Sequence, residues 1–240
     1  IKDKKNFLLS GGAGSGKTYS LVEVLKVIVR DCPALNIGCV TYTNAAVDEI
    51  DNRISGDNLH ISTIHNFLWD NIKLFQNELK ETLIELMNDV EQTKIKPPKD
   101  QSVEGNFFDE CENIRYKEYL KLAKGIISHD EVIILASRMY EKYEKLCSIT
   151  KDKYPLILVD EYQDTDPLVI KILLEDLGKS DKKNVVGFFG DAMQSIYDGS
   201  IGNLEQYTKV DPPKVIEVLK EQNRRNPLKV INLANHLRTD

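Results

Sequence analysis

The chain has 240 residues, of which 41% are hydrophobic and 29% charged, which suits one large domain or one domain with an insertion. No apolar run approaches the roughly 20 residues of a membrane helix, and the N-terminus lacks the layout of a signal peptide. The net charge of −6 argues against a uniformly basic nucleic-acid surface, although not against a local basic groove.

Strands and helices are predicted to alternate along the first part of the chain. The predicted strands are Asn6–Ser10, Asn36–Tyr42 and Leu59–Ser62; helices are predicted at Lys17–Arg30, at Asn44–Ile54 and from Thr63 onwards. Strands that alternate with helices at this spacing indicate a parallel sheet with crossover helices.

The middle of the chain has a different pattern. Residues 70–124 contain the polar helical stretch NELKETLIELMNDVEQ and then the breaker-rich stretch KIKPPKDQSVEGN, and no strand is predicted among them. We therefore predict a helical insertion. One further helix is predicted to follow, with an apolar stripe at i, i+3/i+4 spacing that indicates packing: Val132, Leu135, Ala136, Met139, Tyr143 and Leu146.

The strand-and-helix pattern resumes after the insertion. The predicted elements are strands at Leu156–Val159, Asn184–Gly190 and Lys214–Leu219, a helix after Pro167 and a last helix after Arg225. The four cysteines include no C-x-x-C pair, and the four histidines form no metal-ligand spacing. Reduced, mostly buried thiols in a cytoplasmic protein without a zinc site are expected.

The stretch GGAGSGKT fits the phosphate-loop pattern G-x-x-x-x-G-K-[ST] between a predicted strand and a predicted helix. Its glycines let backbone N–H groups converge on phosphate oxygens. Lys17 is expected to hold the β- and γ-phosphates of a nucleoside triphosphate, and Thr18 to bind Mg²⁺. The expected nucleotide-binding residues of the loop are Gly11, Gly12, Ala13, Gly14, Ser15, Gly16, Lys17 and Thr18.

Four carboxylates follow the apolar strand in the stretch LILVDEYQDTDP. Asp160 ends the strand and is predicted to bind Mg²⁺, and Glu161 is predicted to polarise the attacking water. Asp166 before Pro167 is predicted to be a helix N-cap, and Asp164 fits either role.

Six motifs occur in the order found in superfamily-one DNA helicases of the UvrD/Rep type: GGAGSGKT, TYTNAAVDEI, STIHNF, LILVDEYQDTD, GDAMQSIY and LKEQNRR. The chain resembles that family from Gly11 to Arg225. The resemblance implies an α/β P-loop NTPase of the RecA-like type, a parallel sheet flanked by helices with an inserted helical subdomain. It implies a motor domain at 1–69 and 125–225, an accessory subdomain at 70–124 and the start of a second motor domain at 226–240.

The same resemblance implies further site residues. Gln163 would couple the nucleotide site to DNA, Gln194 would sense the γ-phosphate, and Arg225 would act as an arginine finger. The residues implied to face single-stranded DNA are Tyr42, which would stack on a base, and Thr43, Asn44, Thr63 and His65. From the residues alone, a tyrosine at the position of Tyr42 is more often a core aromatic at the end of a strand than a DNA contact, and helix capping is likewise the more common role for His65 and Asn66.

The sequence departs from the family pattern at three points, one of which is that the glutamine that usually reads adenine would precede Ile1 and the motifs of the second motor domain would follow Asp240. DGSIG follows QSIY where an aromatic and basic pair is usual, and Arg224 stands where a tyrosine that stacks on adenine is usual. The main hypothesis is an ATP-dependent helicase or translocase that acts on single-stranded or tailed duplex DNA, with weak activity in the 240-residue chain alone. The alternative is an ATPase subunit that gates a partner nuclease in DNA repair or anti-phage defence. The stretch TKVD fits a guanine-specificity pattern, but the apolar strand before it and the D-x-x-G switch of a GTPase are missing.

Overall fold

The computed structural model describes residues 4–12, 14–91, 94–97, 102–195 and 199–220. The chain divides into two compact units. The first consists of 1–62, 154–167 and 183–240, and the second of 63–153 and 168–182. Within the described residues, no helix has the length and apolar character needed to cross a membrane.

The strands agree with the prediction in the first unit. In chain order they are β1 Asn6–Ser10, β2 Ile37–Thr41, β3 Leu59–Thr63, β4 Arg115–Tyr116, β5 Ile126–Ile127, β6 Leu156–Asp160, β7 Val185–Gly190 and β8 Val215–Leu219. Six of them form one sheet in the order β3-β2-β6-β7-β1-β8. The pairs β2–β6, β6–β7, β7–β1 and β1–β8 are parallel. The segments that follow β1, β6 and β7 therefore start at the same edge of the sheet, which is where α/β proteins bind ligands.

The helices are α1 Lys17–Asp31, α2 Asn44–Asp51, α3 Ile64–Ile72, α4 Gln76–Asn88, α5 His129–Lys142, α6 Glu144–Lys153, α7 Pro167–Lys171 and α8 Glu205–Thr208. A π-helical turn at Ile172–Asp176 and a 3₁₀ turn at Leu177–Lys179 continue α7. Further 3₁₀ turns lie at Leu122–Lys124, Tyr162–Asp164 and Ala192–Gln194. The helix predicted after Arg225 lies outside the described residues.

The core of the first unit lies between α1 and the sheet. Leu21 and Leu25 of α1 are fully buried, as are Ile37 and Leu158 of β2 and β6, and all four belong to one apolar cluster. This packing explains the apolar periodicity of α1 and the nearly continuous runs of apolar residues in the central strands, because a parallel sheet covered by helices buries both faces. The rigid sheet holds the start of α1 beside the end of β1.

Two predictions for the second unit are wrong. A strand does occur within 70–124, because β4 pairs in parallel with β5. Strand β4 has only two residues, which is too short to give a periodic signal in the sequence. The second wrong prediction is the single helix with the apolar stripe. The structure has two helices there, since α5 ends at Lys142 and α6 begins at Glu144. Tyr143 between them leaves the helical conformation (φ −113°, ψ 91°), and its hydroxyl donates to Glu81 at 3.2 Å.

The residue boundaries of the two compact units differ from those of the motor domain and the insertion predicted from the sequence. Residues 125–153, assigned there to the motor domain, belong to the second unit. The functional division into motor domain, accessory subdomain and second motor domain stays a prediction. All four cysteines are free; Cys39 and Cys147 are buried as expected, whereas Cys32 is exposed.

Candidate nucleotide-binding site

The phosphate loop joins β1 to α1 in the first unit. Gly14 and Gly16 have left-handed backbone conformations, with φ of 77° and 78°, which residues with a Cβ rarely adopt. The N–H group of Gly11 donates to the carbonyl of Gly190 at 3.3 Å, which ties the loop to the end of β7. A Cβ on Gly11 would lie 2.7 Å from Oγ of Ser15, so the close packing of the loop requires glycine there. Ala13 lies outside the described residues.

Lys17 begins α1 and turns its side chain back over the loop. It is 7% exposed, and its Nζ donates to the carbonyl oxygen of Gly11 at 3.0 Å. Oγ of Ser15 is also buried and has no hydrogen-bond partner. The loop thus presents an ammonium group and an unsatisfied hydroxyl at the N-terminus of a helix, where the helix dipole favours anions.

Thr18 and Asp160 meet at the carboxyl edge of the sheet although 142 positions separate them. Oγ1 of Thr18 donates to Oδ2 of Asp160 at 3.2 Å. Asp160 is 3% exposed, and its Oδ1 is buried without a hydrogen-bond partner. Burial, and next the negative charge of Glu161, raise the pKa of Asp160 to about 7. A divalent cation there would remove this cost, because it would stabilise the ionised carboxylate.

The donor set around Thr18 and Asp160 fits Mg²⁺. The hydroxyl and the carboxylate supply oxygen ligands, which Mg²⁺ prefers, and Mg²⁺ commonly takes its remaining ligands from water and phosphate. In the part of the chain that the structure describes, no group of three or more His, Cys, Asp and Glu residues could hold a metal by itself.

Glu161 follows Asp160 in a strained backbone conformation. Its φ of 48° lies in the left-handed region, which is unusual for a residue other than glycine and is found disproportionately at active sites. Oε2 of Glu161 accepts a hydrogen bond from Nε2 of Gln163 at 2.9 Å. The backbone and this hydrogen bond together fix the direction of the Glu161 carboxylate.

Gln163 is a buried link between Glu161 and the end of β7. It is 1% exposed, and its Oε1 accepts a hydrogen bond from the N–H group of Asp191 at 3.1 Å. The carboxylate of Asp191 in turn accepts a hydrogen bond from Nε2 of Gln194 at 2.5 Å. A continuous set of hydrogen bonds therefore connects Glu161 with Gln194 through the side chain of Gln163 and through Asp191.

Asp191 is a residue that the sequence reasoning left without a role. It stands in the quoted motif GDAMQSIY, but only the pairing of β6 with β7 places its N–H group against Gln163. Its own position is fixed, since it is 5% exposed and its Oδ1 accepts a hydrogen bond from the N–H group of Met193 at 3.2 Å. Arg225, the predicted arginine finger, lies outside the described residues.

The predicted DNA-facing residues belong to different units. In the first unit, Thr43 caps α2, with Oγ1 accepting from the N–H group of Ala46 at 3.2 Å, and Asn44 begins that helix. Tyr42, just before this cap, is partly buried. These positions leave the prediction of DNA contact untested.

In the second unit, Thr63 caps α3 by accepting from the N–H group of Asn66 at 3.3 Å. The cap is therefore the Thr63 hydroxyl and not a side chain of His65 or Asn66. The ring of His65 stacks on that of His129, with centroids 4.9 Å apart. Contact of Thr63 and His65 with DNA stays a prediction.

Comparison with known proteins agrees with this geometry. Residues 1–200 match the AAA_19 family, which is described as an AAA domain. The chain is 30% identical to the Gabija protein GajB of Bacillus cereus (strain HuB5-5), over 100% of this chain and 48% of that protein. It is 24% identical to the ATP-dependent DNA helicase PcrA of Bacillus subtilis (strain 168), over 96% of this chain and 37% of that protein. Identity to the ATP-dependent DNA helicase Rep of Escherichia coli (strain K12) is 27%, over 96% and 40% respectively.

The chain thus spans about half of the length of GajB and less of the two helicases. Among solved structures, it is similar to the Pif1 helicase from Candida albicans with a TM-score of 0.45 and 13% identity, over 99% of this chain and 41% of that one. The assignment of the fold rests on the sheet and the phosphate loop described above.

Proposed function

Because the chain belongs to the AAA_19 family of AAA domains and is homologous to superfamily-one DNA helicases of the UvrD/Rep/PcrA type, we propose that it is the ATP-binding part of a DNA motor. That motor would couple ATP hydrolysis to movement on single-stranded DNA and to unwinding of duplex DNA. The observation that carries the ATP-binding part of the proposal is the pairing of Thr18 with a buried carboxylate, Asp160, whose Oδ1 has no partner.

The binding step follows from the phosphate loop. Its N–H groups and the ammonium of Lys17, which now donates to the carbonyl of Gly11, would bind the phosphates of ATP. Oγ1 of Thr18 and the carboxylate of Asp160 would hold Mg²⁺, whose charge offsets that of the phosphates.

The hydrolytic step would depend on Glu161. Its carboxylate would orient and polarise the attacking water, and the hydrogen bond from Gln163 would keep it in one direction. Gln194 would sense the γ-phosphate, and its bond to Asp191 would pass the state of that site to Gln163. This set of hydrogen bonds gives Gln163 its proposed role in coupling ATP to DNA. Arg225 would supply the arginine finger.

Single-stranded DNA is the proposed partner of the residues after β2 and β3. Tyr42 would stack on a base, and Thr43, Asn44, Thr63 and His65 would lie near the sugar-phosphate backbone. The N-termini of α2 and α3 lie at these positions and support this assignment, because the helix dipole favours negative charge there.

A second candidate function is an ATPase subunit that gates a partner nuclease in DNA repair or anti-phage defence. Two observations favour it. Identity to the Gabija protein GajB (30%) exceeds identity to PcrA (24%) and Rep (27%). The segment after QSIY also reads DGSIG and lacks a side chain suited to base stacking.

One experiment separates the two candidates. ATP hydrolysis by the full-length protein is measured with and without single-stranded DNA, and unwinding is measured on a tailed duplex. Stimulation with unwinding supports the motor, and stimulation without unwinding supports the gating subunit. If DNA does not stimulate hydrolysis, both proposals are wrong. Lys17→Ala is the control that removes the phosphate-binding ammonium.

A further inference from the structure

Lys220 follows β8 and contacts the phosphate loop at both of its ends. Its N–H group donates to the carbonyl of Ser10, the residue before the loop, at 2.7 Å. Its Nζ donates to the carbonyl of Gly16, the last residue of the loop, at 2.9 Å, and to Oγ of Ser20 in the first turn of α1. Its own carbonyl oxygen lies 2.9 Å from the position that a Cβ on Gly11 would take. Lys220 therefore forms one wall of the phosphate loop, although it lies 204 positions after Gly16.

The ammonium of Lys220 lies beside the first turn of α1. It lies at the N-terminus of α1, where the helix dipole is positive and where Lys17 already places a second ammonium. No acidic residue occurs in the first turn of α1. Each ammonium donates to a backbone carbonyl oxygen, Lys17 to that of Gly11 and Lys220 to that of Gly16, and a bound polyanion would add an attraction to both positive charges. The arrangement is the one expected where a triphosphate binds.

If Lys220 served only to hold the end of β8 against the phosphate loop, its hydrogen bonds would be needed but its positive charge would not. β8 is an edge strand with four of its five residues exposed, and hydrogen bonds from Lys220 would hold its end against the loop. A neutral donor of similar length would do this as well as lysine. The two roles therefore differ in what happens when the charge is removed and the donor is kept.

We propose that Lys220 is a positioning residue of the nucleotide site, whose ammonium fixes the end of the phosphate loop and adds a second positive charge to the site of the triphosphate. This inference rests on the proposed binding of ATP. It makes the chain discriminate between ATP and ADP partly by charge, since the additional phosphate interacts with both ammonium groups.

The test uses four variants of the full-length protein. Lys220→Met removes charge and donor, Lys220→Gln keeps a donor without charge, and Lys220→Arg keeps both. Lys214→Met is the matched control, because it removes an exposed lysine just before β8 whose Nζ lies 5.9 Å from the ring centre of Tyr207. Dissociation constants of MgATP and MgADP are measured at low and high salt, and the melting temperature is measured without nucleotide.

The charge role predicts that Lys220→Met and Lys220→Gln each weaken MgATP binding about 10-fold and MgADP binding about 3-fold at low salt, with smaller losses at high salt. Lys220→Arg is expected within about 3-fold of the wild type, and Lys214→Met without change. The inference is overturned if Lys220→Gln binds MgATP as the wild type does, or if Lys220→Met weakens both nucleotides equally at both salt concentrations. A wild-type protein that binds no ATP would overturn the proposed function itself.

Discussion

Replacing Asp160 with asparagine is expected to stabilise the nucleotide-free protein at alkaline pH. The carboxyl group is 3% exposed, its Oδ1 has no partner, and burial together with the charge of Glu161 raises its pKa to about 7. In the unfolded chain the same group titrates near 3.8. Between these two pH values the folded protein keeps a proton that the unfolded chain has lost, so the free energy of unfolding falls as the pH rises through this window.

The size of the effect follows from the difference in pKa. A difference of about three units corresponds to about 4 kcal/mol as an upper bound, at 1.36 kcal/mol for each unit. Partial relaxation and water entry reduce this value, and we expect a gain of about 2 kcal/mol for Asp160→Asn at about pH 8. At about pH 4 the gain is expected to be near zero, because the carboxyl group is then largely protonated in the folded protein.

The assay is urea unfolding of the wild type and the Asp160→Asn variant at the same two pH values, with EDTA and without nucleotide. Asp51→Asn, at the exposed end of α2, is the control for loss of a surface carboxylate. If Asp160→Asn raises the free energy of unfolding equally at both pH values, or does not raise it at about pH 8, the ionised Asp160 carboxylate does not destabilise the cation-free protein and the prediction is wrong. Adding Mg²⁺ and ATP is expected to stabilise the wild type and to stabilise the variant much less.

Two further predictions concern the contact of Gln163 with the end of β7 and the N-cap of α2. A Cβ at Gly190 would clash with Oε1 of Gln163, so Gly190→Ala is expected to reduce DNA-stimulated hydrolysis at least about 10-fold while ATP binding changes less. Gly178→Ala is the control, because nothing lies within 4 Å of the added Cβ. Normal DNA stimulation in Gly190→Ala would contradict the role of the hydrogen bonds between Gln163 and the end of β7. Thr43→Ala removes the cap of α2 and is expected to lower the free energy of unfolding by about 1 kcal/mol in denaturant titrations. Thr43→Ser is expected to restore it, and an unchanged stability in Thr43→Ala would argue against the cap.

The sheet of the first unit could be predicted because its strands and helices carry strong local signals. The central strands β2, β6 and β7 are buried along their whole length, so each is a short apolar run beside turn residues. The order of the strands has no comparable local signal. Consequently Thr18 and Asp160 could be assigned to one site from their motifs, but the hydrogen bond between them could not be predicted without the order of the strands in the sheet.

The remaining features depend on contacts between distant parts of the chain. Gln163 and Asp191 are 28 positions apart, and Lys220 is 204 positions from Gly16, so spacing alone could not pair them. The break at Tyr143 was missed for a different reason. Both α5 and α6 bury apolar side chains on a shared helical period, and a stripe of this kind continues across a single non-helical residue.

Glu161 is proposed to activate water for hydrolysis of ATP held by the phosphate loop. The most direct test compares ATP binding and ATP turnover of the full-length wild type and the Glu161→Gln variant, with single-stranded DNA present. Glutamine keeps the size of the side chain and a hydrogen-bond acceptor but cannot accept the proton. We expect ATP affinity within about 3-fold of the wild type and turnover lowered by at least about 100-fold. Turnover at the wild-type rate in Glu161→Gln would contradict the account.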